Sequence, residues 1–503
     1  MWATWPAVRH VDGHYLARPA AGAGEAAAGD HLQLGWAFWL VGHQLERGAS
    51  PLADPYSFRP EASAPANLQG WLLGAPFWAL ERTWGPVWAY DLIVLLSVVA
   101  AGGLACWWLR ALGLGRPAAL AGGVAFALAP YVVGQRTGHL LGLISFLLPA
   151  VLLALERRRW AWAALALAAI PASGQLHLAL GAIPLALSYS WARSGPRGLL
   201  RAAAAVLPAV VAGIVVQQAV VAGSIGSGRS FAQVERYSAE LSDLVTRGVG
   251  SGVEELVFLG WLTPLLALAG LALTWTRDKG LTVVLAVAAV VPVLLALGAN
   301  LPGYETLWRA LPPLHATRVP ERLLPVAALA LAALVALALD RLVTISHKDG
   351  WWAAAGGAVV VAAIAVDLRV PVFGAVAPDR PSAAYASVRG AGRLLELPVI
   401  RPDIHYGSVY LAYARQSPRE RPQGYSTTAP PAADRLAREL RAISCGRAPV
   451  PPRLGVRFVA VHRAVYEQSG FFARSCPNDA EARLRADGWQ LLARDGPIST
   501  WTR

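Results

Sequence analysis

The sequence predicts an all-α polytopic membrane protein with about ten to eleven transmembrane helices, followed by a C-terminal α+β domain outside the cytoplasm. Three observations lead there. Of the 503 residues, 55% are hydrophobic and only 15% charged, where a soluble domain carries about 25% charged residues. The mean hydropathy is +0.44, and the apolar residues gather in long Ala/Leu/Val runs separated by short arginine-bearing loops. From residue 367 onward the composition turns mixed and strand-like segments appear.

The elements follow in chain order. Residues 1–20 lack the basic start and apolar core of a signal peptide. They read either as the last turn of a membrane helix running into a loop, or as an interfacial N-terminus with Trp2 and Trp5 at the headgroups. Residues 31–47, rich in tryptophan, are too short to span and predict an interfacial helix. Pro51, Asp54-Pro55-Tyr56 and Arg59-Pro60 mark an irregular loop. Residues 67–83 predict a second re-entrant or surface helix. Spans follow at 86–109, 117–133, 140–155, 160–173, 176–192, 201–222, 254–275, 281–298, 323–340 and 351–366.

The loops set the orientation. Arg110 and Arg116, Arg157-Arg158-Arg159, Arg193, Arg197 and Arg201, Arg277 and Lys279, and Arg341 with Lys348 all fall on one side if these ten spans are counted. Short basic loops are cytoplasmic. The agreement favours two helices rather than one around Pro171; a further helix before residue 1 would make eleven. The expected organisation is a first extracytoplasmic loop at 1–85, a transmembrane domain at 86–366 and an extracytoplasmic α+β domain at 367–503. The tail holds strand patterns at 395–400 and 456–461 and helix-like stretches at 432–443 and 479–487. In an oxidising compartment its Cys445 and Cys476 are expected to form a disulfide.

Composition also narrows the function. The net charge is +13, yet the arginines sit between apolar runs and no basic stripe or nucleic-acid motif appears, so no nucleic-acid partner is expected. No P-loop, dinucleotide fingerprint, nucleophile elbow or zincin motif is present, so no nucleotide cofactor is expected.

Ionisable groups at a membrane face are costly and mark candidate sites. Asp30 opens the apolar Leu32–Leu40 stretch. It reads either as a helix cap, or as a partly desolvated base that takes a proton from an acceptor hydroxyl or holds a divalent cation with a phosphate. His31, Asp54, Tyr56 and His177 are secondary candidates, Asp54 also fitting a Pro-flanked turn. Arg136 and His139 lie in one outer turn, and Arg318 and Arg322 at the mouth of a span; a guanidinium fork suits a lipid phosphate. Against these stand snorkelling for the first pair and an Arg–Glu anchor of the helix end for the second. Loop 223–253 reads as a lid or as a solvated helix.

Several short motifs resemble one family. They are Gly29-Asp30-His31-Leu32-Gln33 before the Trp-rich segment, Gly48-Ala49-Ser50-Pro51, Trp88-Ala89-Tyr90-Asp91-Leu92, and Ala127-Leu128-Ala129-Pro130-Tyr131 followed by Gly138-His139-Leu140. They continue with Arg318-Val319-Pro320-Glu321-Arg322-Leu323, Gly424-Tyr425-Ser426, and Gly455-Val456-Arg457-Phe458-Val459-Ala460-Val461-His462-Arg463. In this order they resemble the GT-C superfamily of polytopic membrane glycosyltransferases, in its bacterial branch related to YfhO-like and protein-mannosyltransferase-like proteins. The resemblance implies a catalytic carboxylate in the first outer loop, matched by Asp30. It implies a polyprenyl-phosphate-linked sugar donor, a divalent cation such as Mg or Mn with Asp30 as its ligand, and transfer with inversion at the outer face of the cell membrane. The family's frequent acidic pair is here Asp30-His31. The acceptor, whether glycan, lipid or protein, is not implied. A transporter or lipid flippase needs ionisable groups near the midplane and often internal repeats; the spans carry few central charges and no duplicated halves. A non-catalytic scaffold would not require the outer arginines.

Overall fold

Long apolar runs become helices here because a helix satisfies its own backbone hydrogen bonds, the one requirement a hydrocarbon environment imposes. The structure, a computed structural model, describes residues 2–18, 24–61, 65–227, 229–248, 252–316, 318–345, 351–373 and 377–503. Lys348, and parts of the 22–29 stretch and of loop 223–253, lie outside the described residues. The chain divides into two units. One is made of Met1–Trp5, Leu92–Val216 and Arg229–Val372, the other of Pro6–Asp91, Gln217–Gly228 and Phe373–Arg503.

The first unit is a helical assembly. Among the described residues, four helices are long and apolar enough to cross a membrane by length and composition: Gly74–Ala111, Leu176–Val221, Lys279–Ala296 and Pro320–Thr344. Leu140–Glu156, Trp160–Ala172, Leu262–Thr274 and Ala355–Asp367 are shorter apolar helices. The sequence leads one to expect ten full spans. The difference comes from breaks that an apolar count does not see. The helix Arg116–Ala127 stops before Pro130 and a new one runs Pro130–Gln135. The run Leu176–Val216 holds two helices that meet at Gly195 (φ 61, ψ −153) ahead of Pro196, in keeping with the separate spans expected at 176–192 and 201–222. Around Pro171 there are two helices, separated at Ser173–Gln175 where Gly174 adopts φ 78.

The outward faces of these helices are apolar: Val99 is 69%, Leu200 71% and Val359 69% exposed. Patches of that kind need a nonpolar surrounding. Inside, small residues allow close approach. A Cβ on Gly270 would lie 2.0 Å from the Leu334 carbonyl oxygen, so helices Leu262–Thr274 and Leu324–Ile345 meet backbone to backbone.

The second unit contains the α+β tail that the strand patterns predict. Its four-stranded sheet runs Arg393–Leu397, Val456–His462, Ile498–Thr502, Gln490–Asp495 across its width. The first pair is parallel and the other two are antiparallel. Strand alternation sorts the side chains. Leu395, Leu397, Val459, Val461 and Trp501 pack against Leu436, Leu440 and Leu484 of helices Pro431–Leu440 and Cys476–Ala486. Leu394, Phe458 and Ala460 face a cluster that includes Tyr385, Tyr410 and Tyr413, and also Ala26, Ala28 and Leu32 from the N-terminal segment. The chain just ahead of the first helix therefore covers one face of a sheet built more than 350 residues later. Cys445 and Cys476 are joined in a disulfide beside the helical face.

Candidate active site

Two groups of polar side chains stand out, one in each unit. In the second unit the focus is Asp30. Helix Asp30–Glu46 is capped by Gly29 in extended backbone with no side-chain cap, so Asp30 is the first helical residue and the capping role does not fall to it. A carboxylate there still gains from the helix dipole. Its Oδ1 accepts a hydrogen bond from Tyr425 Oη at 2.7 Å. Tyr425 arrives 395 positions later in the chain, carried by a loop whose backbone oxygen accepts from Gln33 Nε2 at 3.1 Å. His405 feels the Asp30 charge: partial desolvation lowers its pKa and Asp30 opposes that.

The other candidates near Asp30 have different surroundings. His31 is 3% exposed, its ring 5.7 Å from Tyr15; burial drives its pKa down to about 4 against the pull of Asp30, so it is neutral at pH 7. Asp54 closes a turn, as its prolines suggest: its two oxygens accept from Tyr56 N (2.9 Å), Ser57 N (3.2 Å), Ser57 Oγ (2.7 Å) and Trp36 Nε1 (3.0 Å). Tyr56 Oη lies 2.7 Å from His43 Nε2, and its ring packs with that of Tyr425 against the same Trp36, Leu40, Leu411 and Ala414 cluster.

In the first unit the focus is Glu254. Sequence reading places it at the start of a span at 254–275; the helix begins instead at Leu262, and Glu254 sits in a short 3-10 turn, Val253–Glu255. The charge pair Glu254-Glu255 ahead of the apolar run is the signal for that boundary. Glu254 Oε2 accepts from Tyr131 Oη (2.9 Å) and Gln135 Nε2 (3.0 Å), and Oε1 accepts from Arg322 Nη2 at 2.5 Å. His139 Nδ1 stands 3.9 Å from Oε1. Burial alone would raise the Glu254 pKa, but Arg322 and His139, helped by hydrogen bonds from Arg322 and Tyr131, hold it at about 2. Arg322 thus pairs with Glu254, not with Glu321, whose fully buried carboxylate has no hydrogen-bond partner among the described residues.

Around this ion pair lies an excess of positive charge. His177 is 5% exposed and its Nε2 has no hydrogen-bond partner among the described residues. Arg322, Glu254, Arg229 and His139 are all within electrostatic reach of it. Burial, then the fields of Arg318 and Arg322, pull Arg229 down to about 10. The Arg318 guanidinium rests 5.4 Å from the centre of the Tyr237 ring. The structure therefore associates Arg318, Arg322, His139 and His177, and adds Arg229 and Glu254. Arg136, fully buried, donates from Nη1 to the Ala127 carbonyl at 2.7 Å and from Nη2 to Ser145 Oγ at 3.5 Å, and its Nε has no hydrogen-bond partner among the described residues. Among the described residues no group of three or more His, Cys, Asp or Glu side chains is arranged to hold a metal ion. Asp30 is joined by the Tyr425 hydroxyl and lies within electrostatic reach of His31 and His405.

Solved structures share this architecture along nearly the whole chain. The arabinofuranosyltransferase AftD from mycobacteria superposes with a TM-score of 0.56 at 18% identity, over 96% of this chain and 40% of its own. The chain has the GT-C fold. ArnT from Cupriavidus metallidurans bound to undecaprenyl phosphate is similar at TM-score 0.53 and 14% identity, covering 99% of this chain and 95% of that one. The apo oligosaccharyltransferase of Archaeoglobus fulgidus gives TM-score 0.51 at 12% identity, over 91% and 69%. The chain spans 40% of the length of the mycobacterial enzyme that it is similar to. No protein-family model matches its sequence, and no curated protein matches it.

Proposed function

We propose that this chain is a membrane glycosyltransferase that moves a sugar from a polyprenyl-phosphate donor to an acceptor hydroxyl on the extracytoplasmic face. The observation that carries the reading is the positive cluster in the helical unit. Arg229 and Arg318 make no hydrogen bond or ion pair among the described residues, and a buried His177 nitrogen beside them lacks a partner. Uncompensated cations at a membrane protein's buried site call for an anion, and a guanidinium pair suits phosphate oxygens. The GT-C fold supports the reaction class, and ArnT, a structure of the same fold, is bound to undecaprenyl phosphate. The loop arginines support placing residues 1–85 and the tail outside the cytoplasm.

The chemistry follows from those roles. The acceptor oxygen forms a bond to the anomeric carbon as the bond from that carbon to the phosphate oxygen breaks. Asp30 takes the acceptor's proton. The polyprenyl phosphate leaves with its negative charge, which Arg318, Arg322 and Arg229 neutralise. Glu254, which His139 approaches to 3.9 Å, orients Arg322. The tail helps to present the acceptor. Binding of undecaprenyl phosphate and of undecaprenol to the purified protein in nanodiscs tests the anion site by native mass spectrometry. The phosphate should bind at least tenfold more tightly, and Arg229→Gln with Arg318→Gln should abolish the difference. Equal binding of the two lipids to the wild type contradicts the reading.

A further inference from the structure

Asp30 is gripped from the tail at several points within its own unit. Tyr425 Oη donates to Asp30 Oδ1 at 2.7 Å while the Tyr425 carbonyl accepts from Gln33 Nε2, one turn further along the same helix. Gly29 N donates to Ser408 Oγ at 3.1 Å, and Ala26 N to Tyr413 Oη at 3.0 Å. Just upstream, Glu25 is 1% exposed; its Oε2 lies 2.7 Å from His462 Nδ1 and its Oε1 accepts from Ala464 N at 3.0 Å. His462 is fully buried, with Nε2 2.8 Å from Tyr385 Oη. That hydroxyl reaches Glu396, which Arg421 pairs at 2.5 Å, both fully buried.

Apolar packing alone would hold residues 24–29 against the sheet, as Ala26 and Ala28 already do. Burying Glu25 and His462 as well costs free energy unless every group is matched, so such a pair fixes register where simple adhesion would leave it loose. A carboxylate that has to receive a proton along one direction needs that fixity.

We propose that Tyr425 is the positioning residue for Asp30, and that the Glu25–His462 pair is the strap that sets the register of the segment leading into it. This rests on the reading of Asp30 as the base. The tail is then part of the reaction centre and not only a platform for the acceptor. The other titratable groups that feel the Asp30 charge are His31, His405 and Tyr90.

The test uses the full chain in detergent. A water-soluble carbodiimide with glycine ethyl ester labels protonated carboxyls, and mass spectrometry of the peptide containing Asp30 gives the pH at which labelling is half complete. Tyr425→Phe removes a hydrogen bond to the charged form, so this midpoint should rise by about one pH unit or more. Tyr406→Phe, which removes a phenol that donates to the Gln468 carbonyl, should leave it unchanged. Glu25→Gln should speed amide hydrogen exchange over residues 25–33 by about tenfold or more. An unmoved midpoint in Tyr425→Phe, or an equal shift in Tyr406→Phe, overturns the positioning role; unaltered exchange in Glu25→Gln overturns the strap. Loss of the base reading itself would show separately, as unimpaired sugar transfer by Asp30→Asn while Tyr425→Phe still shifts the labelling midpoint in the protein that keeps Asp30.

Discussion

Replacing Glu254 by glutamine should cost stability in a way that depends on pH. Burial would push this carboxyl up, but Arg322, His139 and the hydrogen bonds from Arg322 and Tyr131 hold it at about 2, against 4.5 for an ordinary glutamate. The side chain is only 14% exposed, so solvent screens the pair little. A depression of that size corresponds to about 3 kcal/mol. Because the folded value is the lower one, the stabilisation is complete above the unfolded pKa and fades as pH falls through 4.5 toward 2. Between about pH 6 and pH 3 the wild type loses about 2 kcal/mol of it. Glu254→Gln leaves Arg322 without its carboxylate and starts about 3 kcal/mol lower at pH 6, but it has no such carboxyl to titrate. The gap between the two proteins should therefore narrow by about 2 kcal/mol on acidification. Unfolding in mixed micelles by graded SDS, followed by tryptophan fluorescence at both pH values, measures that gap. A gap that stays constant would refute the assignment of Glu254 as an ionised partner of Arg322.

Two further outcomes follow from the same geometry. Arg318→Gln should raise the KM for a polyprenyl-phosphate sugar by about tenfold while changing kcat less, because one phosphate contact made in both ground and transition state is lost; steady-state kinetics that show a pure kcat effect would move Arg318 from binding to transition-state stabilisation. Cys476→Ser opens the loop closed by the bridge to Cys445, 31 positions away, and should destabilise the tail by about 3 to 4 kcal/mol, read as a lower denaturant midpoint of that unit; an unchanged midpoint would show that the bridge adds nothing to its core.

Much of this was legible in the sequence because the signals were local. Apolar runs marked helices, and the agreement of the basic loops pointed to the break between two of them after Pro171, where Gly174 adopts φ 78. Alternating residues at 456–461 marked a strand that now lies between two neighbours. What the apolar count could not show is where a helix starts late, as at Leu262, or breaks within an expected span, as between Ala127 and Pro130. The site was legible only in part for the same reason. Asp30 and Arg322 announce themselves as charges next to apolar segments. Their partners do not: Tyr425 stands 395 positions from Asp30, and Glu254 stands 68 from Arg322. No periodicity joins them, and only the fold brings each pair within hydrogen-bonding distance. Arg136 is likewise a conspicuous charge, and the fold gives it the Ala127 carbonyl and Ser145 Oγ while its Nε has no partner among the described residues.

The most direct test of the central claim is transfer itself. Purified protein in vesicles, incubated with a panel of radiolabelled polyprenyl-phosphate sugars and cell-envelope acceptors, should release polyprenyl phosphate and move the label to an acceptor, and correctly inserted Asp30→Asn should lower that rate by about a hundredfold or more. A wild-type protein that leaves every lipid-linked sugar in the panel intact, or an Asp30→Asn variant that transfers at the wild-type rate, would contradict the account.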